Sequence, residues 1–175
     1  MSEAIITRRG GGSNIKSIQR FSFEFAVGSI SQTVNIATIN LNAAVIRNVT
    51  LYPNNLNITA DEFKAYLRFN SNSQVYIRRH AGTTYSLLVS FDVVEYKNIK
   101  SIQTISFSTT NLTITKAISS VNVNKAELAY TNSISLVTTS IGSEFAGNIT
   151  TDVLLTFAGR SGENKSGTAF VIEYK

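Results

Sequence analysis

The sequence predicts an all-β protein, in which two tandem small antiparallel β-sandwich or barrel-like domains follow a flexible N-terminal arm. Two observations support this prediction. Apolar and polar residues alternate with a period of two along much of the chain, which is the pattern of strands with one buried face. In addition, the hexapeptide NIKSIQ at residues 14–19 recurs at residues 98–103, and VVEYK at residues 93–97 recurs as VIEYK at residues 171–175.

The recurring segments indicate a tandem duplication. They divide the chain into an arm at residues 1–13, a first repeat at residues 14–97 and a second repeat at residues 98–175. No linker separates the repeats, so we expect them to pack closely. With 175 residues and a hydrophobic content of 43%, the chain is long enough for two small domains and apolar enough to bury a core.

The elements of the first repeat are predicted from the alternation of its residues. Phe21, Phe23 and Phe25 are separated by smaller or polar residues, which predicts the first strand. The longest alternation covers residues 85–95. The segment TADEFKAY at residues 59–66 is the one predicted helical turn, since a threonine begins it and a glutamate follows three residues later. Shorter strands are expected near residues 33–41, 45–52, 65–69 and 74–79.

The second repeat is expected to have the same arrangement, with its first and last strands close together. Glu95 and Glu173 lie in the otherwise apolar final strands. Each is predicted to pair with a lysine of the adjoining first strand, Lys16 or Lys100, and the alternative role is an interface contact. The strands of this repeat are expected near residues 101–108, 112–115, 133–139, 153–157 and 168–174.

The composition gives little support to an enzyme. The chain has no cysteine, which excludes disulfides, thiolate metal sites and cysteine nucleophiles. Its single histidine, His80, lies in a basic hairpin and is interpreted as a surface residue. The adjacent carboxylates Asp61 and Glu62 are assigned to the start of the predicted helical turn. No phosphate loop, nucleophile elbow or GxGxxG motif occurs, so we predict no enzymatic activity, no metal and no cofactor.

Charge and hydropathy limit the partners. A net charge of +5 is mild compared with the dense basic surface of a nucleic-acid-binding protein. No apolar run approaches the roughly 20 residues of a membrane helix. The N-terminus has an acidic residue first and arginines after a short apolar stretch, which is the reverse of a secretory signal. We therefore predict no nucleic-acid or membrane partner, and folding in a cytoplasm without export.

The N-terminal arm is the first candidate site. Its glycine run follows two arginines. One interpretation is a flexible hinge. The other is a particle-binding arm, in which IITRR adds a strand or a charged contact to a neighbour while the glycines let it swing. The residues of this candidate arm are Ile5, Ile6, Arg8, Arg9, Gly10, Gly11 and Gly12.

A basic and aromatic face is the second candidate site. By strand alternation, Tyr76 and Arg78 point to one side of their strand, and Arg79 points to the other side with Ile77. One interpretation is ordinary solvated arginine on an edge strand. The other is a contact surface for a sugar, an anionic polymer or a protein neighbour, since arginine and tyrosine favour interfaces. The candidate residues are Tyr66, Arg68, Tyr76, Arg78 and Arg79.

The second repeat lacks this basic face. Aligning SQVYI at residues 73–77 with TDVLL at residues 151–155 matches Arg78 with Thr156, and the following arginine with Phe157. If the face is functional, the two repeats have therefore diverged in what they contact.

Several segments of the first repeat resemble small β-sandwich modules of tailed-bacteriophage structural proteins, including tail-fibre, head-fibre and capsid-decoration components. These segments are the basic, glycine-rich start, SIQRF at residues 17–21, YIRRHAGTT at residues 76–84 and FDVVEYK at residues 91–97. The sandwich size also resembles the H-type lectin fold. In the second repeat the resemblance covers mainly the two ends, where TISF at residues 104–107 replaces RFSF.

The resemblance implies a virion protein made in the cytoplasm of the bacterial host. The expected function is a surface component, either a capsid decoration or a fibre or tail appendage. It would bind capsid or tail proteins through its arm and sandwich faces, as a homo-oligomer for which a trimer is favoured. The alternative is a lectin-like module of a phage tail that recognises a bacterial surface glycan. A bacterial surface adhesin is a third class, and the missing export signal stands against it.

Overall fold

The computed structural model of the chain describes residues 5–7, 14–53, 65–79, 86–109, 111, 113–135, 146–158 and 164–175. These residues form β-strands and two short 3-10 turns, so the predicted all-β class is confirmed. The 3-10 turns are Leu41–Ala43 and Val123–Lys125. The strands before residue 98 are β1 (Ile5–Thr7), β2 (Ile15–Phe25), β3 (Ser31–Asn35), β4 (Ala44–Pro53), β5 (Ala65–Ser71), β6 (Gln74–Arg79) and β7 (Leu87–Tyr96). Those after it are β8 (Ile99–Thr109), β9 (Thr113–Ala117), β10 (Ala126–Ser135), β11 (Ala146–Thr151), β12 (Leu154–Ala158) and β13 (Asn164–Tyr174).

Each repeat contains two antiparallel sheets with corresponding strand orders. The first repeat has the sheets β1-β2-β7-β4 and β3-β6-β5, and the second repeat has β8-β13-β10 and β9-β12-β11. The first and last strands of each repeat are paired along their length, with Phe21 opposite Phe91 and Phe107 opposite Gly167. The expectation that these strands lie side by side is therefore confirmed.

The core of the first repeat follows from the alternation in β2 and β7. Phe21, Phe23 and Phe25 are buried, while the residues between them are exposed. The ring of Phe21 stacks on that of Phe91 with centroids 5.1 Å apart. Burial of each such side chain stabilises the fold by about 1.5–3 kcal/mol. The end of β7 is covered on both faces, because Val94 is buried as well as Val93.

A buried glutamate in the last strand of each repeat contacts the first strand and the residue that precedes the 3-10 turn. Glu95 accepts hydrogen bonds from Lys16 Nζ at 2.9 Å, from Ser17 Oγ at 3.3 Å and from the Asn40 amide at 3.0 Å. The predicted glutamate–lysine pairs are therefore confirmed, and the backbone amide that completes them was not predicted. The equivalent contacts of Glu173 are with Lys100 Nζ at 2.9 Å, Ser101 Oγ at 3.4 Å and the Asn122 amide at 2.9 Å.

The repeats share buried side chains. Phe170 and Ile172 of β13 belong to the same hydrophobic cluster as the core of the first repeat. The ring of Phe170 meets that of Phe69 edge to face at 6.0 Å. Thr131 of β10 is buried and donates its hydroxyl to the carbonyl of Leu67 in β5 at 2.7 Å. The repeats therefore pack closely, as expected, and one hydrophobic cluster contains buried side chains from both of them.

Two predicted strands and the predicted helical turn differ from the structure. The strand expected at residues 33–41 ends at Asn35, because the next residues leave the sheet to anchor on a neighbouring turn: the Ile36 and Ile39 amides donate to the Ser73 and Asn72 carbonyls, each at 2.9 Å. The strand expected at residues 133–139 is β10, which begins at residue 126. Residues 136–139 lie outside the described residues.

The predicted helical turn is wrong for its last two residues, which belong to strand β5. Pairing with β6 determines their conformation, and this tertiary contact outweighs a local capping pattern. The rest of the predicted turn lies outside the described residues. Strand β11 was not predicted, since its sequence AGNITT is too polar to show an alternation, and β1 was predicted only as a strand that the arm could add to a neighbour.

Candidate interaction surface

The outer face of the β3-β6-β5 sheet brings together four of the five residues of the predicted basic face. In β6, Val75 and Ile77 point into the core, which leaves Tyr76 and Arg78 on the outer side. Strand β5 pairs with β6 so that Tyr66 lies opposite Arg78 and Arg68 lies opposite Tyr76. We call Tyr66, Arg68, Tyr76 and Arg78 the arginine–tyrosine cluster.

The cluster is held by contacts between its own side chains. The rings of Tyr66 and Tyr76 meet at 6.3 Å between centroids with an interplanar angle of 64°. The Arg68 guanidinium lies over the Tyr76 ring, 5.1 Å from its centroid, which is a cation–π geometry. The central position of β6 between β3 and β5 fixes the backbone from both sides. The interpretation as an edge-strand residue is therefore wrong for Arg78, whereas Arg68 lies in β5, the last strand of this sheet.

Polar side chains that sequence reasoning did not single out complete this face. Gln74 donates to Asn35 Oδ1 at 3.2 Å and accepts from Asn70 Nδ2 at 3.1 Å, so one amide ladder crosses all three strands. Ser31 and Thr33 lie opposite Arg78 and Tyr76 on the third strand. The signal in the sequence was the alternation of these polar residues with buried Val34 and Val75.

The outer face carries two positively charged side chains, Arg68 and Arg78. Among the described residues, neither Arg68 nor Arg78 forms an ion pair, and both are exposed. Its other members are hydroxyl, amide and phenol side chains. A partner with carboxylates or other anionic groups therefore meets two exposed guanidinium groups, of which that of Arg68 is positioned on the Tyr76 ring.

Arg79 does not belong to this surface. Its side chain is on the core side of β6, only 2% exposed, and its guanidinium lies 5.6 Å from the centroid of the Phe25 ring. The alternation of the strand already placed Arg79 opposite to Arg78, and the structure confirms that direction. The prediction that Arg79 belongs to an interface or ligand face is therefore wrong, because a buried arginine cannot reach an external partner.

The four positions of the second repeat that correspond to the cluster hold neither arginine nor tyrosine, although the sequence alignment of this strand was displaced by two residues. The Ile36 amide donates to the Ser73 carbonyl, and in the second repeat Ile118 donates to the Val153 carbonyl, each at 2.9 Å. Ser73 therefore corresponds to Val153. With this register, Tyr66 and Arg68 correspond to Ala146 and Asn148. Tyr76 and Arg78 correspond to Thr156 and Ala158.

The candidate arm is described only in part. The backbone of β1 pairs with β2 of the same chain, with Ile5 opposite Arg20 and Ile6 opposite Gln19. The strand-forming part of the arm thus extends a sheet of its own chain, and addition of this strand to a neighbour would first break that pairing. Arg8, Arg9, Gly10, Gly11, Gly12 and His80 lie outside the described residues.

A polar cleft of about 640 Å³ lies between β2 and β3. Its lining includes Ser22, Glu24, Gln32 and Asn35. Within the described ranges, no group of three His, Cys, Asp or Glu residues is placed to hold a metal ion. The same ranges contain no helix with the length and apolar character to span a membrane.

Comparison of the chain with protein-family models, with curated proteins and with solved structures finds no match.

Proposed function

We propose that this chain is a non-enzymatic structural protein of a tailed-bacteriophage virion, a capsid decoration or a fibre or tail appendage. It works by contact with other virion proteins. The observation that carries the binding role is the arginine–tyrosine cluster on the outer sheet face of one repeat, in which neither arginine forms an ion pair with another described residue. The assignment to a virion rests on the resemblance of the sequence to phage β-sandwich modules.

The chemistry of the cluster favours a protein partner with acidic groups. Tyrosine and arginine are enriched among the residues that contribute most to binding, and an amide-rich surround is typical of an interface rim. Arg68 covers one face of the Tyr76 ring, so that face is not free to stack on a sugar. The amide ladder and the exposed positive charge remain available to carboxylates on a neighbouring virion protein.

A lectin-like module is the alternative. The Tyr66–Tyr76 pair beside the amide side chains of Asn70 and Gln74 is the observation that favours it, because sugars are bound by aromatic rings and amide hydrogen bonds. This alternative predicts binding of the isolated protein to glycans of the bacterial surface. It requires no contact with the particle through the same face.

The test compares the wild type with Arg68→Glu/Arg78→Glu in co-sedimentation with phage particles prepared without this protein. We expect at least a tenfold weaker association, since the double variant reverses both charges of the face. The matched control is Asn148→Glu/Ala158→Glu, which changes corresponding positions in the second repeat and should bind as the wild type does. Equal binding of all three proteins would refute the proposed role of the cluster. Loss of glycan binding with unchanged particle binding would favour the lectin.

The arm provides a second contact in this proposal, through Arg8 and Arg9. Deletion of residues 1–12 is a poor test, because it also removes β1 from its sheet. Arg8→Ala/Arg9→Ala keeps that strand and removes only the charge. We expect weaker particle binding at low salt, and no difference at high salt.

A further inference from the structure

The polar cleft between β2 and β3 is a concave feature of the first repeat. Its volume of about 640 Å³ lies in the range of pockets that bind small molecules. The buried side chains of Phe23 and Val34 line it, so residues of the core close its inner end. The cleft borders the arginine–tyrosine cluster at Thr33, which lies opposite Tyr76, but its described lining contains none of the cluster residues.

The exposed side chains of this lining offer hydrogen bonds and little charge. They are the hydroxyls of Ser22 and Thr33, the amides of Gln32 and Asn35, and the carboxylate of Glu24. No lysine or arginine is among the lining residues that the structure describes. An anionic ligand would be repelled by the carboxylate, and an apolar ligand would remove these polar groups from water without replacing their hydrogen bonds.

Several of these polar groups are available to a ligand. Within the described part of the chain, the side chains of Glu24, Gln32 and Thr33 form no hydrogen bond or ion pair. Asn35 accepts from Gln74 Nε2 through its Oδ1 at 3.2 Å, which leaves its Nδ2 group as a donor. The cleft can therefore both donate hydrogen bonds to a ligand and accept them from it.

Leu88 connects the cleft to an exposed aromatic ring. It lines the cleft, and it lies opposite Glu24 of β2 on one side and Tyr52 of β4 on the other. Residues directly opposite each other share one face of a sheet, so we call Glu24, Leu88 and Tyr52 the cleft row. Tyr52 is 58% exposed and Leu88 is 39% exposed. At the usual spacing of paired strands, the cleft row spans about 10 Å.

We propose that the cleft and Tyr52 form a binding site for a neutral oligosaccharide. Sugar hydroxyls both donate and accept hydrogen bonds, which matches the amides and hydroxyls of the cleft. The carboxylate of Glu24 accepts stronger hydrogen bonds from such hydroxyls than a neutral group does. The C–H face of a sugar ring is apolar and fits against Leu88 and the exposed ring of Tyr52. The site thus combines polar groups in the cleft with apolar contact at its outer end.

In the second repeat, three serines stand at the positions of the cleft row. Ser166 corresponds to Leu88 through the aligned endings of β7 and β13, and it lies between Ser108 of β8 and Ser133 of β10. The carboxylate, the leucine and the tyrosine of the cleft row therefore occur in one repeat alone. We expect one such site in each chain, and the site does not depend on the proposed virion role.

The test measures binding of the full chain to neutral oligosaccharides of glucose, galactose, mannose and N-acetylglucosamine by isothermal titration calorimetry. We expect at least one of them to bind, and Tyr52→Ala to weaken that binding about tenfold. Glu24→Gln keeps the size of the side chain, removes its charge and should also weaken binding. Because the ligand is neutral, the Kd should be the same at low and high salt. Both positions are exposed, and unchanged circular dichroism spectra would show that the variants fold.

The matched control is Ser108→Gln, which changes the exposed position of the second repeat that corresponds to Glu24. It should bind the sugar as the wild type does. Arg68→Glu/Arg78→Glu should also keep sugar binding, whereas a lectin site at the arginine–tyrosine cluster would lose it. The proposal would be overturned if none of these oligosaccharides bound at millimolar concentration, or if binding disappeared at high salt. It would also be overturned if the Tyr52 and Glu24 variants bound normally, or if only the double arginine variant lost binding.

Discussion

Tyr96 and Tyr174 occupy equivalent positions at the ends of β7 and β13, and their rings meet edge to face with centroids 6.1 Å apart. The Tyr174 hydroxyl donates to Glu127 Oε1 at 2.5 Å, and the same carboxylate binds the Arg47 guanidinium. Arg47 in turn lies 5.7 Å from the centroid of the Tyr96 ring. The two repeats are therefore joined by polar contacts as well as by buried apolar side chains.

This junction predicts a loss of stability at high pH. Burial, and the neighbouring Tyr96, raise the pKa of Tyr174 from 10.0 to about 12. The folded state therefore keeps the Tyr174 proton to higher pH than the unfolded state does. Its contribution is fully present below pH 10, and the free energy of unfolding should fall as pH rises from about 10 to about 12. Urea denaturation at a series of alkaline pH values measures this slope.

Tyr174→Phe is the control for this effect. It removes the titrating hydroxyl and keeps the ring contact, so its stability should depend less on pH over the same range. The wild type should also show a tyrosine ultraviolet titration that extends beyond the ordinary range. If the two proteins had the same pH dependence, Tyr174 would not be the responsible group.

Phe170→Ala should destabilise the first repeat although the residue lies in the second. Phe170 is buried in the shared cluster and contacts Phe69. Truncation of a buried phenylalanine costs about 3–5 kcal/mol. Because the cluster is shared, we expect chemical denaturation to show one weakened transition and not two separate ones. Val153→Ala, at an exposed position, should change stability by less than about 0.5 kcal/mol.

Thr131→Val should weaken the contact between the repeats by removal of one hydrogen bond. The hydroxyl of Thr131 satisfies the Leu67 carbonyl in a buried site, and valine has the same shape without a donor. The expected loss is about 1–3 kcal/mol, the cost of a buried carbonyl left without its partner. Thr131→Ser keeps the hydroxyl and should lose less. A larger loss in the serine variant would show that the methyl group matters more than the bond.

Glu173 predicts an acid-sensitive contribution. The Asn122 amide, and then Lys100, lower the pKa of Glu173 below its ordinary value of 4.5. The stabilising effect is therefore present above pH 4.5 and is lost as pH falls through the lowered pKa of the folded state. Glu173→Gln should be less stable than the wild type at neutral pH and less sensitive to acid. Denaturation at pH 3 and pH 7 for both proteins tests this, and an unchanged pH dependence would contradict it.

The sequence was sufficient where a local pattern decides the structure. The alternation of Phe21, Phe23 and Phe25 places these rings in the core, and the recurrence of Glu95 at Glu173 predicts two equivalent ion pairs. The four residues of the arginine–tyrosine cluster were also found, since strand alternation places them on one face. The amide ladder was missed because its members come from three strands whose register the sequence does not reveal.

Contacts between the repeats were harder to predict. Asp92 in the first repeat corresponds to Phe170 in the second, through the aligned endings of β7 and β13. Asp92 forms an ion pair with Arg20, whereas Phe170 is buried against the first repeat. This exchange of an acid for an aromatic residue is the signal that identifies the covered sheet. The surface that Phe170 contacts depends on how the two repeats pack against each other, and a local sequence pattern carries no information about that packing.

Phe170 and Ile172, which belong to the second repeat but cover the core of the first, have a further consequence for synthesis of the protein. A ribosome completes the first repeat well before these two side chains are made. During that interval, the side of the early core that they cover is exposed to water or to a chaperone. We therefore expect the first repeat to reach its final structure only after β13 has been synthesised.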